Sequence, residues 1–462
     1  MECSRLIAEL ESCLPKRVFY KSSTLYYDHI WESDISSKNV LILMPTSTEE
    51  VSKICKICHE LKRPIIIHGG RTGLVGATRS KNNNIIINLG KFNRIHEIDH
   101  ISRTITLDPG VILEEINNKL ADFNLKLPIS FGSKGSAQIG GCIATNAGGN
   151  QVMKYGMIRN WVMGLEIVLP DGTIINSIKK LHKDNSGYNL NQLFIGSEGT
   201  LGIITKAVLK LTHLRSASFS AYVAFDKFEN IITFLNKSQI NFTESLTGFE
   251  LFYGNTFEIL VNLSNTKRPP IVLGYKYYIL FEIESNNEDE LELELESFLE
   301  ISMQNRYCSD CVIAYNKKDN DWFWNIRESV GNLNSRLKFT QHFDISLPLE
   351  YIEKYIKDVT FNLKQRLNIV EVYPFGHLAD GNMHFIIGKM SNDVILKNKI
   401  NHIVYSPLKE LGGSISAEHG IGIDKTPWLK YTKTEEEINL MKLIKKTIDP
   451  RNILNPNRLI EI

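Results

Sequence analysis

The first third of the chain alternates short apolar runs with amphipathic stretches. Residues 40–44, 64–67 and 85–89 are runs rich in Ile, Leu and Val and predict buried strands. Residues 48–61 begin polar and then repeat apolar positions at three- and four-residue spacing, which predicts a helix; residues 112–123 predict a second. Residues 95–98 and 104–107 alternate like the two arms of a hairpin that turns near His100-Ile-Ser-Arg. Residues 162–169 and 173–176 flank Pro170-Asp-Gly172, a strong turn sequence, and predict another hairpin. A strand at 202–211 closes this region. From about Ser216 glycine becomes sparse. Strand-like runs at 219–225, 277–283 and 311–315 then alternate with longer helical ones at 227–238, 289–303 and 349–363. Runs of that kind predict an α+β layer with an antiparallel sheet. A last helix is predicted at 435–446.

One stretch breaks the pattern. In Phe131-Gly-Ser-Lys-Gly-Ser-Ala-Gln-Ile-Gly-Gly-Cys-Ile-Ala-Thr-Asn-Ala-Gly-Gly149, six of nineteen residues are glycine. Glycine costs backbone entropy and adds nothing to a core, so no packed helix or strand is expected there. Such a stretch suits backbone N–H groups that must approach something flat or anionic. A shorter loop, His68-Gly-Gly-Arg-Thr-Gly-Leu-Val-Gly-Ala-Thr78, has the same character. Neither has the spacing of a P-loop or a dinucleotide-binding fingerprint. On glycine content alone, an ordinary surface loop stays open beside a nucleotide site.

Composition adds mostly exclusions. With 462 residues, two or three domains with real cores are expected, and 43% apolar against 23% charged residues is an ordinary globular balance. The net charge of +1 gives no electrostatic footprint for nucleic acid. No apolar run approaches the roughly 18 residues needed to cross a bilayer. The N-terminal residues Met1-Glu-Cys-Ser-Arg-Leu-Ile lack a signal-peptide pattern and read as a short amphipathic helix, so a cytoplasmic location is expected, with peripheral membrane association left open. The seven cysteines suit a reducing compartment. Cys55/Cys58 and Cys308/Cys311 have C-x-x-C spacing. The first pair falls inside a predicted helix and the second opens a predicted strand, so core packing is favoured over zinc or redox chemistry.

A second constellation carries reactive side chains: Pro374-Phe-Gly-His377-Leu-Ala-Asp-Gly-Asn-Met-His384-Phe. On one unbroken strand His377 and His384 would face opposite sides. Asp380-Gly-Asn382 is a turn sequence that lets both imidazoles converge across a hairpin. Downstream comes Ser414-Ile-Ser-Ala-Glu418-His419-Gly-Ile-Gly422. Two His and one Glu make a three-ligand set for a catalytic divalent metal with open positions.

Four ordered motifs then set a family context: Met44-Pro-Thr-Ser-Thr-Glu-Glu-Val51, His68-Gly-Gly-Arg-Thr-Gly-Leu-Val-Gly76, Ile139-Gly-Gly-Cys-Ile-Ala-Thr-Asn-Ala-Gly-Gly149 and Leu193-Phe-Ile-Gly-Ser-Glu-Gly-Thr-Leu-Gly-Ile-Ile204. Nearly the whole chain resembles the vanillyl-alcohol oxidase type of flavoprotein, and within it the D-2-hydroxy-acid dehydrogenases. The resemblance implies an α+β fold: a two-subdomain PCMH-type FAD-binding domain, an α+β cap with an antiparallel sheet, and a C-terminal helical return to the flavin domain. The expected division is an N-terminal helical segment at 1–37, the flavin domain at 38–215, a substrate and metal cap at 216–420, and the return at 421–462. Backbone N–H groups of Gly69, Gly70, Arg71, Thr72, Gly73, Leu74 and Gly76, with the hydroxyls of Thr72 and Thr78, would solvate the FAD pyrophosphate. Ser136, Gln138, Ile139, Gly140, Thr145, Asn146 and Gly149 would line the adenosine and ring sides, with Gly199 and Ile204 closing on the adenine. Some relatives attach FAD through a histidine where this chain has Arg71, so the cofactor is expected to be non-covalent.

The same resemblance implies a divalent metal, zinc or manganese, on His377, His384 and Glu418, with His419 as the base and Arg327 binding the substrate carboxylate. It implies oxidation of a small D-2-hydroxy acid to the 2-oxo acid, with hydride passing to flavin N5. D-2-Hydroxyglutarate dehydrogenases also use a threonine and a lysine, and here those positions hold Gly331 and His342. An asparagine is replaced by Ile386. Lys338, Asn334 or Arg336 could compensate, so D-lactate and D-2-hydroxyglutarate both stay open. The electron acceptor is left as an electron-transfer flavoprotein, a quinone or a cytochrome, and a homodimer stays open. Two other readings remain: a different flavin oxidoreductase on the same fold, such as an alcohol oxidase or an NADPH-fed reductase, and a non-catalytic flavin-binding relay subunit.

Overall fold

The computed structural model describes residues 2–20, 41–80 and 84–462. The expected boundary at 37/38 and the first residue of the strand expected at 40–44 lie outside the described residues. The chain divides into two compact units. One comprises Met1–Gly149, Gly156–Leu214 and Glu418–Ile462; the other comprises Asn150–Tyr155 and Arg215–Ala417.

The apolar runs of the first unit build two sheets. In one, strands run in the order Phe19–Tyr20, Leu41–Leu43, Ile85–Asn88, Ile65–His68, with the last three parallel. Helix Thr48–Glu60 covers it. Ser47 caps this helix by accepting the Glu50 N–H, and Glu49 and Glu50 lie in the first turn, where the helix dipole favours negative charge. Its buried face carries Val51, Ile54, Cys55 and Cys58, which pack with Leu43, Ile65, Ile85 and the N-terminal helix residues Leu6 and Leu10. Cys55 and Cys58 are thus core side chains, and burial pushes both thiols well above their usual range.

The second sheet is antiparallel, in the order Ile95–Asp99, Thr104–Leu107, Ile203–Lys210, Val162–Val168, Ile174–Asn176. Both predicted hairpins form in it. Asp99 pairs with Thr104 across one turn, and Leu169 N–H donates to Thr173 O at 2.8 Å across the other.

The glycine-rich stretch differs from expectation, because it contains a helix, Ile139–Ala144. Ile139, Cys142 and Ile143 are buried in the core of the second sheet. The glycines let this helix lie against backbone. A Cβ at Gly140 would stand 2.5 Å from Pro109 Cβ, and one at Gly149 would meet Ser130 O at 2.0 Å. Three apolar residues therefore anchor the helix, and Gly140 lets it lie close against Pro109.

The C-terminal segment returns to this unit. Ile423 and Asp424 donate backbone N–H groups to Val75 O in the first glycine loop, and Asn455 joins Ile67 N–H to Glu198 O. Helix Glu435–Ile448 starts with a Thr434/Glu437 capping box. Near its end, buried Lys445 donates to Thr200 O, Leu454 O and Asp449.

The second unit is organised on one seven-stranded antiparallel sheet in the order Asp310–Ala314, Ala217–Phe225, Tyr277–Ser285, Leu246–Tyr253, Val372–His377, Asn382–Lys389, Phe339–Ser346. Strand Leu246–Tyr253 was not legible as a strand, because its apolar and aromatic run is interrupted by glycine and one carboxylate. Its register pairs Glu250 with His377 and Phe252 with Phe375. Alternation along each strand then gives one sheet face an apolar layer of Tyr222, Leu280, Phe252, Phe375 and Ile386, buried under helices Gly254–Leu263 and Lys317–Glu328. Two residues further along the strands, the same face turns polar: Glu250, His377, His384 and Asp344.

Candidate active site

In the first unit the two glycine loops meet. Strand Ile65–His68 ends at the first loop, which His68 Nε2 closes through a 2.9 Å contact to Thr78 O. A Cβ on Gly69 would lie 3.6 Å from Gln138 Oε1, and one on Gly70 only 2.1 Å from Ser136 O. The loops therefore approach backbone to backbone, which a side chain at Gly70 would prevent. Among the described residues, Gln138 Oε1 and Thr78 Oγ1 are buried with no hydrogen-bond partner. Two unsatisfied buried polar atoms where the glycine loops meet fit a polar ligand such as a nucleotide. Arg71 and Asn146 adopt left-handed backbone (φ 57° and 50°). Thr145 Oγ1 donates to Gly141 O, Ile139 and Ile204 point into the apolar core, and Gly199 packs against Asn455 and Ile67.

The polar edge of the second unit is built on the hairpin of strands Val372–His377 and Asn382–Lys389. Gly381 (φ 78°) makes the turn, and the His377 and His384 rings stand 5.3 Å apart, perpendicular to each other. Glu250 is buried between two cationic or polar partners. Arg327 Nε donates to its Oε2 at 2.7 Å, and His377 Nδ1 contacts its Oε1. Burial alone would raise the Glu250 carboxyl, but the charges and hydrogen bonds of His377 and Arg327 hold it down at about 2. Ionised, it only accepts, so His377 Nδ1 carries the proton and donates. Arg327 also lies over the Phe375 ring at 5.2 Å. Its two terminal nitrogens have no hydrogen-bond partner among the described residues.

Asp344 is fully buried on the outermost strand of the same face. Asn382 Nδ2 donates to its Oδ1 at 2.9 Å, and Ser416 Oγ and the Ala417 N–H donate to its Oδ2, each at 3.1 Å. His384 Nδ1 lies 3.8 Å from Asp344 Oδ1. His342, two residues before Asp344, contacts Asn334 Oδ1 at 2.9 Å and Thr340 Oγ1 at 3.2 Å. Lys338 is exposed, with its ammonium 5.6 Å from the Phe339 ring centre.

The chain runs on from Ala417 into Glu418 and His419, both half-buried, with His419 Nε2 3.8 Å from Glu418 Oε1. The next residues are held in place by Glu198, whose carboxylate accepts the Ile421 and Gly422 N–H groups at 2.7 and 2.8 Å. Burial raises the Glu198 carboxyl, and those two N–H bonds oppose the rise. Gly420 (φ 84°) lets the backbone pass, since a Cβ there would stand 2.8 Å from Glu198 Oε1.

Two acidic residues escaped the sequence reading. Glu250 and Asp344 each stand alone in an apolar strand sequence, Phe249-Glu-Leu-Phe and Phe343-Asp-Ile. A single carboxylate flanked by large apolar residues signals a buried, partnered charge, and that signal could have found both.

Comparison with known proteins supplies the family. The model for FAD linked oxidases, C-terminal domain, matches residues 215–459, and the model for an FAD binding domain matches residues 40–177. A Schizosaccharomyces pombe protein carrying the name of a mitochondrial D-lactate dehydrogenase is 36% identical over 93% of this chain and 83% of its own. The mitochondrial D-2-hydroxyglutarate dehydrogenase of Arabidopsis thaliana is 34% identical over 93% of this chain and 76% of its own. Among solved structures, p-cresol methylhydroxylase with substrate bound superposes with a TM-score of 0.77 at 15% identity, over 100% of this chain and 97% of its own, which shows a shared fold. The cytoplasmic location expected from the N-terminal residues is corrected by these relatives, since both dehydrogenases are named as mitochondrial. No helix among the described residues is long and apolar enough to cross a membrane. Matched along most of its length by the FAD-binding and C-terminal domain models, the chain belongs to the FAD linked oxidase family.

Proposed function

We propose that the chain is an FAD-dependent dehydrogenase that oxidises a D-2-hydroxy acid of the D-lactate or D-2-hydroxyglutarate class to the 2-oxo acid. The observation that carries this reading is the arrangement of Arg327. Its Nε is fixed by buried Glu250, and its two terminal nitrogens are left for a ligand beside His377 and His384. A guanidinium held this way suits a carboxylate. The names of the two dehydrogenase relatives agree with such a substrate.

A divalent ion belongs to the same reading, since His384 and Asp344 are members of a group of His, Asp and Glu side chains that could hold one. Two ligand atoms that each lie about 2.1 Å from one ion end up ~3–4 Å apart. The 3.8 Å between His384 Nδ1 and Asp344 Oδ1 falls in that range, which supports an ion at His384 with Asp344 as a further candidate ligand. His377, His384 and Glu418 are the proposed ligands, with Asp344 beside them, and imidazoles with carboxylates suit zinc or manganese. When bound, the metal supplies Lewis-acid polarisation of the substrate hydroxyl, and FAD supplies the hydride acceptor at N5. Arg327 holds the substrate carboxylate and so orients Cα–H. His419 takes the hydroxyl proton as the Cα hydrogen leaves with its electron pair, giving the 2-oxo acid. His342, on the same sheet face as Asp344, is placed to read the far end of the substrate, with Lys338 outside the strand as a weaker candidate. The cofactor sits non-covalently on the loops around Gly69, Gly70 and Gln138.

The test is an anaerobic screen of D- and L-2-hydroxy acids against the purified yellow protein. D-Lactate or D-2-hydroxyglutarate is expected to bleach the flavin and the L-forms are not. Chelation should abolish bleaching with FAD retained, and zinc or manganese should restore it. If no 2-hydroxy acid bleaches the flavin, the reading is wrong; if bleaching survives complete metal removal, the metal role is wrong.

A further inference from the structure

We infer that Glu250 is a positioning residue that couples the two halves of substrate recognition, holding Arg327 for the carboxylate and His377 for the metal from one buried carboxylate. The inference rests on the proposed function and deepens it.

The geometry leaves Glu250 little freedom. It lies on a central strand with its side chain 1% exposed, and its register pairs it directly with His377. One oxygen takes the Arg327 Nε–H and the other takes the His377 Nδ1–H. An ionised carboxylate is the only side chain that accepts at both oxygens at once. Each contact has a distinct consequence. With Nδ1 held by Glu250, the nitrogen His377 turns toward a metal is Nε2. A carboxylate behind a ligating imidazole also orients the ring and raises its basicity. With Nε anchored and its guanidinium carbon over the Phe375 ring, Arg327 loses the rotations that would otherwise have to be frozen when substrate binds.

The charges point the same way. Arg327 and Glu250 neutralise each other in a buried place, and His377 shares the same carboxylate. Removing the carboxylate would leave a buried guanidinium unpaired and His377 free to take either tautomer. Glutamine keeps the shape but not the chemistry. Its amide offers one acceptor and one donor end, so either Arg327 or His377 must face an N–H group.

The experiment uses full-length protein with FAD bound and compares wild type with Glu250→Gln. After chelation, Zn²⁺ or Mn²⁺ is titrated back and its affinity measured by calorimetry. The expected loss is about 10–100-fold, the range for removing an outer partner of a metal-bound histidine. In steady-state turnover, the KM for the hydroxy acid should rise about tenfold or more, while FAD content stays at the wild-type level. Unchanged metal affinity together with unchanged KM overturns the inference. A second measurement needs no variant at Glu250. In wild-type protein with ¹⁵N-labelled histidine, the His377 signals, assigned by their loss in His377→Gln, should show Nδ1 protonated and Nε2 bare. A proton on Nε2, in either a neutral or a cationic ring, overturns it as well. If wild type itself binds no divalent ion, or no hydroxy acid reduces its flavin, the proposed function has failed, and the tautomer measurement still judges the Glu250–His377 link by itself.

Discussion

At the scale of single residues, adjacent side chains on one short segment are assigned different tasks. Glu418 and His419 follow each other in a loop fixed immediately downstream by the two N–H bonds to Glu198. Their tips lie close, with His419 Nε2 3.8 Å from Glu418 Oε1, so a base at His419 would stand beside a ligand at Glu418. His419→Ala is expected to keep FAD and metal but to slow flavin reduction by a factor of about 10²–10⁴, the usual loss when a general base is removed. Glu418→Ala is expected to weaken metal binding, with activity partly recovered at high metal concentration. Metal analysis and rapid-mixing reduction rates check both, and loss of metal in His419→Ala with retention in Glu418→Ala would reverse the roles. These residues were legible because histidines and a glutamate cluster among glycines, where packing alone does not call for them. Glu250 and Asp344 were not, since each is one polar letter in an apolar strand, and its partners come from 77 and 127 residues away for Glu250 and 38 and 72 for Asp344. Spacing along a chain cannot report contacts of that range.

At the scale of elements, the strands and hairpins with regular alternation were legible, and the helix Ile139–Ala144 was not. Local composition argues against it, because two of its six residues are glycine. Tertiary packing overrides propensity here. Ile139 and Ile143 are fully buried, and the missing side chain at Gly140 lets the helix touch Pro109. The flanking loop places Gln138 next to Gly69, so the position of this short helix governs how the two glycine loops face each other. Gly140→Ala would force a Cβ to within 2.5 Å of Pro109 Cβ. The expected outcome is destabilisation by about 1–3 kcal/mol, as for other overpacked sites, accompanied by loss of FAD from the purified protein. Thermal unfolding and the flavin-to-protein absorbance ratio measure the two effects. A variant with wild-type Tm and full flavin content would show that the contact is slack.

At the scale of the whole molecule, the sequence indicated that the C-terminal segment goes back to the flavin-binding part, and the contacts of Ile423, Asp424, Lys445 and Asn455 within the first unit show how it is held there. It gave no sign that the chain leaves that unit briefly at 150–155, because six residues are too few to carry a pattern. Gly149 (φ 121°) makes the exit, and Gln151 and Lys154 then bond to Glu284 and Glu244 O in the second unit. The proposed nucleotide place, built from loops so far apart in sequence, exists only while the first unit is folded, since Gly69 and Gln138 are brought together by tertiary contacts alone. Arg71 bears on how the cofactor is retained. Its guanidinium is no nucleophile for a covalent flavin bond, so the proposed non-covalent retention rests on the contacts of the loops. Denaturing the purified protein in guanidinium or acid is therefore expected to release FAD completely into the low-molecular-weight fraction. Refolding or dilution with added FAD should restore the yellow holoprotein. Flavin that stays with the precipitated polypeptide would show a covalent bond through some other side chain, and the non-covalent assignment would fall.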